Sequence, residues 1–127
     1  MNRIVSNAGL RETYFLNPSG LDVSPTQAGA YGSARDVVRM LSYAASTSAS
    51  AFEATTEQKL TRAPISGRSI TAQNTDEALP AISGLILGKT GYTELAGGNL
   101  GVVFDIGPAH PIVAVVLHSS HDGRFVD

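Results

Sequence analysis

The sequence predicts an α+β domain built on an antiparallel sheet. Three apolar, β-branched runs close the chain: Leu85–Thr90, Leu100–Ile106 and Ile112–His118. The last two are joined through Gly107-Pro108, a connection short enough for antiparallel neighbours. Ahead of them lies one strong amphipathic helix, so helix and strands are segregated along the chain and the helix covers one sheet face.

The elements follow in order. Met1–Ala8 places Ile4, Val5 and Ala8 at helical spacing, with Gly9 as the stop, and reads as the tail of a longer helix. "TYFLNPSGLDVSP" runs from apolar residues into Asn17-Pro18-Ser19-Gly20, a turn in which Asn17 and Asp22 satisfy backbone groups. "GSARDVVRMLSYAAS" is the strong helix. Ser33 caps it, Asp36 stands three residues on, and Val37, Val38, Met40, Leu41 and Ala44 form the core-facing stripe before "STSAS" ends it. "KLTRAPISGRSITAQ" reads as two short strands about a Pro64–Gly67 turn, and "NTDEALPAIS" as a loop with one helical turn. The tail "SSHDGRFVD" is polar and loop-like.

Bulk properties exclude several classes. The 127 residues suffice for one small domain. A formal charge of −2 leaves no basic footprint for nucleic acid. Without cysteine there is no disulfide framework and no thiolate chemistry. No apolar stretch reaches membrane-spanning length, and "MNRIVSNAGL" lacks a signal peptide's apolar segment.

"GLILGKTGYTELAGGNL" carries the chemistry. A phosphate loop would need Gly five residues before Gly88, but Ser83 stands there. The residues after Lys89 include three glycines in eight, Gly91, Gly97 and Gly98, and do not start the helix such a loop requires. Nucleotide binding is therefore disfavoured. A lysine at the end of an apolar strand, followed by Thr and Gly, suits an anionic peptide. The ammonium supplies charge, the hydroxyl a directed hydrogen bond, and the glycine room for a backbone against the strand. An isolated Lys-Thr-Gly would read as a surface lysine beside a turn; the apolar strand before it and the glycine-rich turn after it favour the site.

"KTGYTELAGGNL" resembles the Lys-Thr-Gly box of serine D-alanyl-D-alanine carboxypeptidases, the low-molecular-weight penicillin-binding proteins. "MNRIVSNAGLRETYFLNPSGLD", "GSARDVVRML", "QNTDEAL" and "HDGRFVD" resemble further family segments in the same order, so the similarity spans nearly the whole chain. It implies a partial β-lactamase/transpeptidase-like fold, an antiparallel sheet with helices, lacking the N-terminal helical part and the terminal helix. Residues 1–127 would form a single partial domain, the C-terminal portion of a peptidase domain.

The family's chemistry needs Ser-x-x-Lys, Ser-x-Asn and Lys-Thr-Gly. Lys59 and Lys89 follow Thr56 and Ile86 at minus three, and none of the five asparagines has Ser two residues earlier. Only the third motif is present, and no Gly-x-Ser-x-Gly elbow replaces the nucleophile. The chain thus reads as a fragment that is inactive alone, or alternatively as a non-catalytic peptide-binding relative of the same fold.

By resemblance, Lys89 holds the substrate's terminal carboxylate and assists the proton relay. Thr90 hydrogen-bonds that carboxylate, Gly91 leaves room for the peptide, the Tyr92 N–H is half of an oxyanion hole, and Thr93 supports the box. The implied partners are a peptidoglycan stem peptide ending in D-Ala-D-Ala and, for the intact enzyme, β-lactams. Neither cofactor nor metal is implied. The full-length protein would be extracytoplasmic, anchored to a membrane only through segments outside this sequence.

The remaining polar residues receive structural readings. His118-x-x-His121 does not bring both imidazoles to one face of a strand, so these are solvated strand-end histidines rather than metal ligands. His110 precedes Pro111 in a turn. Arg35-Asp36 reads as a first-turn acid with an exposed neighbour. Asn74 stands in a loop that the resemblance brings toward the cleft.

Overall fold

Strands β5 (Leu85–Thr93), β6 (Gly97–Asp105) and β7 (Pro111–Ser119) form an antiparallel sheet in that order, which makes β5 an edge strand. This is a computed structural model, and it describes residues 1–64 and 67–127. Before the sheet come α1 (Asn2–Asn7), β1 (Tyr14–Phe15), β2 (Ala30–Tyr31), α2 (Ala34–Ser48), a 3₁₀ segment (Ala49–Thr56) and the paired strands β3 (Lys59–Arg62) and β4 (Ile70–Gln73). Single 3₁₀ turns lie at Leu79–Ala81 and Gly123–Phe125.

The three closing strands and the main helix stand where the sequence puts them. The β5–β6 hairpin extends further than expected on both arms, to Thr93 and back to Gly97, because Gly97 takes the left-handed turn conformation (φ 66°) and tolerates a tight reversal. Helix α2 begins as its capping residue dictates: Ser33 is extended and its Oγ accepts the Asp36 N–H at 3.3 Å. The helix packs on β6 and β7, and Leu41 seats over Gly101, where even a Cβ would come within 2.6 Å of Leu Cδ1. The core is narrow, centred on Leu87, Leu100, Val102 and Val103.

Several expectations need correction. Only Val5 of the α1 stripe is buried; Ile4 is 71% exposed, because a six-residue helix offers one turn to its neighbours. The helix instead docks through Asn2, whose amide exchanges two 2.8 Å hydrogen bonds with the Phe15 backbone. The two-residue strands β1 and β2 and the 3₁₀ segment after α2 carry no periodicity in sequence. Asp36 does stand in the first turn of α2, but its role reaches beyond the helix end. It is buried and accepts from Glu12 N (2.8 Å) and Thr13 Oγ1 (3.0 Å), with Arg39 as its ion partner at 3.4 Å. The β3–β4 pair forms as read, while the centre of its Pro64–Gly67 turn, residues 65 and 66, lies outside the described residues.

Candidate functional site

The margin of β5 is defined by alternation. Consecutive residues of a strand turn their backbone groups to opposite edges. The Gly88 N–H donates to Thr55 Oγ1 at 3.0 Å, off the sheet, so Gly88, Thr90 and Tyr92 share the outer edge. The 3₁₀ segment covers that edge at Gly88. At Thr90 and Tyr92 no other strand pairs with it among the described residues.

Side chains divide the same way between faces. Lys89 lies opposite Gly101, the residue under Leu41, so the lysine stands on the sheet face that carries α2. It is exposed, its Nζ donates to the Thr90 carbonyl, and no carboxylate pairs with it among the described residues. Thr90 is on the opposite face, where its hydroxyl meets that of Thr75 at 2.7 Å. The Tyr92 ring stands edge-on to His121, with centroids 4.9 Å apart. Gly91 offers its carbonyl to Arg124 Nη1 at 3.2 Å.

Thr90 and Tyr92 thus share the open margin with the Lys89 ammonium beside it, while the backbone of Gly91 faces β6. Thr93 does not share it: its hydroxyl donates to Asp22 Oδ1 (3.0 Å) and accepts the Ala96 N–H (3.0 Å), holding the end of the strand. Asp22 is correspondingly more than a local turn residue, since its second oxygen accepts the Leu95 N–H at 3.2 Å. Asn17 does serve its own turn, accepting from Gly20 N and donating to Leu21 O. Asn74 binds the Thr55 and Glu57 carbonyls at 2.9 and 3.1 Å, so its neighbour Thr75, not Asn74, meets the strand.

His118 and His121 are exposed and face different partners, the Ala96 carbonyl and the Asp122 carboxylate. His110 closes its turn on the Pro108 carbonyl. Among the described residues no cluster of three or more possible metal ligands occurs, and no helix is long and apolar enough to cross a membrane.

Two polar residues near the margin escape pattern reading. Thr75 sits inside "QNTDEAL" and Arg124 inside "HDGRFVD". Arg124 is no part of a solvated tail. It is buried, with the Phe125 ring 4.6 Å from its guanidinium carbon. An apolar cavity of about 490 Å³ between α1 and α2, lined by Ile4, Val5, Ala8, Met40 and Tyr43, holds none of the margin residues.

The antiparallel sheet with its covering helix is the fold of solved penicillin-binding proteins. Penicillin-binding protein D2 from Listeria monocytogenes, in its ampicillin-bound form, superposes with a TM-score of 0.80 at 27% identity over 99% of this chain and 50% of that one. Penicillin-binding protein 5 from Haemophilus influenzae gives 0.77 at 28% identity, covering 98% and 34%. A D-alanyl-D-alanine carboxypeptidase from Mycobacterium tuberculosis gives 0.74 at 27% identity, covering 93% and 43%. Residues 1–121 match the D-alanyl-D-alanine carboxypeptidase family, and the chain belongs to it. It spans between a third and a half of the length of these solved relatives. No curated protein shows significant similarity.

Proposed function

We propose that this chain supplies the substrate-recognition strand of a D-alanyl-D-alanine carboxypeptidase, an enzyme that removes the terminal D-alanine of peptidoglycan stem peptides through an acyl-serine. The observation that carries the reading is the open margin at Thr90 and Tyr92, with the Lys89 ammonium beside it held by a carbonyl and by no carboxylate among the described residues.

The peptide adds to β5 as a further strand. Lys89 exchanges its intramolecular carbonyl for the peptide's terminal carboxylate, a charge-assisted contact. The Thr90 hydroxyl donates to the same carboxylate while accepting from Thr75, whose oxygen lies 2.7 Å away. Tyr92 N–H faces the position where the scissile carbonyl develops negative charge. Gly91 carries no side chain to obstruct the strand, and its backbone is tied to Arg124. The nucleophile and its base come from polypeptide outside these 127 residues, since the sequence holds neither Ser-x-x-Lys nor Ser-x-Asn. β-Lactams acylate the complete enzyme and leave this chain unlabelled. The complete enzyme works outside the cytoplasm.

The test is a titration of the ¹⁵N-labelled chain with a peptide ending in D-Ala-D-Ala. Shifts confined to the Lys89–Thr93 amides and abolished by Lys89→Ala are expected. Shifts elsewhere, or none, overturn the reading, and covalent labelling of the isolated chain by a fluorescent penicillin overturns the placement of the nucleophile.

A further inference from the structure

Two buried charged side chains stand against the recognition strand, and each keeps one polar atom without a partner. Asp76 is 6% exposed; Oδ1 accepts the Ala78 N–H at 3.0 Å, while Oδ2 is buried and makes no hydrogen bond. Arg124 is equally buried; Nη1 reaches the Gly91 carbonyl, while Nε is unsatisfied. One comes from the loop before β5 and the other from the turn after β7. They meet the same strand at Gly88 and Gly91, the residues flanking Lys89 and Thr90.

The contact at Gly88 is close. A Cβ built there would lie 3.3 Å from Asp76 Oδ2 and 3.8 Å from both Leu85 Cδ2 and Val102 Cγ1. The carboxyl therefore occupies space that a side chain at position 88 would need, with methyl groups of β5 and β6 beside it. Burial raises the acid above its ordinary 3.8, against the opposing pull of the Ala78 N–H, Arg124 and the Leu79 N–H. An oxygen so placed is costly as a lone charge and tolerable either protonated or drawn toward a cation. On the strand side, the space shared with the carboxyl at Gly88 is bounded by Leu85 and Val102, which are apolar. Arg124 of the C-terminal turn acts on it electrostatically, with no direct ion pair between them among the described residues, and Glu77, next in the chain, is exposed.

We propose that Asp76 is a positioning residue for the Lys89–Tyr92 margin: its carboxyl abuts the strand at Gly88 and acts through Arg124 at Gly91, so gain or loss of its proton moves the segment that carries Lys89. The consequence for substrate rests on the recognition reading above, whereas the coupling between carboxyl and strand belongs to the chain itself.

The experiment is an NMR pH titration of the ¹³C,¹⁵N-labelled chain, following the Asp76 carboxyl carbon beside the Gly88 and Gly91 amides. The Asp76 carboxyl is expected to titrate above its ordinary 3.8, and both glycine amides to shift with its midpoint. In Asp76→Asn that step disappears from both amides, and in Arg124→Lys it persists at Gly88 and weakens at Gly91. A Gly91 amide indifferent to the Asp76 midpoint overturns the proposal, as does a titration step that survives in Asp76→Asn. The wild-type titration decides the first point even where a variant fails to fold. No substrate is present, so failure here and failure of the peptide titration are separate results.

Discussion

Asp22 and Thr93, separated by 71 residues of chain, are joined carboxylate to hydroxyl at 3.0 Å. The bond ties the loop after the Asn17 turn to the end of the strand that carries Lys89. Because the Leu95 N–H shares the same carboxylate and the Ala96 N–H binds Thr93 Oγ1, the β5–β6 reversal is fixed from both sides. Removing the acceptor leaves two donors to find water. Asp22→Ala is expected to lower stability by about 1.5–3 kcal/mol, the range for hydrogen bonds to a charged group. Urea unfolding reads it directly. Thr93→Ser retains both bonds and should stay close to wild type.

The Thr75–Thr90 hydroxyl pair has a directional consequence. A hydroxyl carries one proton, so the one that donates outward must accept from its neighbour. Thr75→Val preserves shape and removes the donor that orients Thr90. Expected is an unchanged fold with peptide affinity reduced by about 1 kcal/mol, roughly fivefold. The measurement is the same amide titration used for Lys89. An equal loss of thermal stability would assign the pair a structural role instead.

Asp36 makes a contrasting prediction, strong in stability and silent in recognition. It is 1% exposed and serves Glu12 N, Thr13 Oγ1 and Arg39 at once. Asp36→Ala leaves the Glu12 N–H and the Thr13 hydroxyl without their acceptor, and about 3 kcal/mol is the expected cost. Denaturant midpoints check it. In whatever variant remains folded, the shifts of the Lys89–Tyr92 amides should match wild type.

What sequence could and could not reveal follows from the range of each interaction. The closing strands, helix α2 and its Ser33 cap were legible because their signals are local: alternation, a 3.6-residue stripe, a capping hydroxyl. The Lys89-Thr90-Gly91 segment stood out because an apolar run ends on a charge beside glycines. Asp22 reads as a turn residue because its partners, Thr93 and Leu95, lie in another segment. Arg124 reads as part of a polar tail for the same reason, since nothing in "HDGRFVD" announces that Gly91 will sit against it. Short elements such as β1 and β2 have too few residues for any period, and they exist because Tyr14–Phe15 and Ala30–Tyr31 meet in space.

Asp76 gives stability an unusual dependence on pH. The unfolded chain releases this proton near 3.8, while the native chain holds it to a higher pH because burial disfavours the charge. Between those two values the native state binds more protons than the unfolded one, so stability contributed by this group falls as pH rises. Most carboxylates with hydrogen-bonded native states behave in the opposite sense. Asp76→Asn keeps the acceptor for Ala78 N–H and cannot ionise. Below pH 3.8 the variant and wild type should therefore unfold at similar denaturant concentrations. At neutral pH the variant should be the more stable, the gap opening across the window just named. Taking the difference between the two proteins at each pH cancels every other titrating group they share. If Asp76→Asn is instead less stable at neutral pH, the carboxylate is a net favourable partner of Arg124, and burial is not what governs its proton.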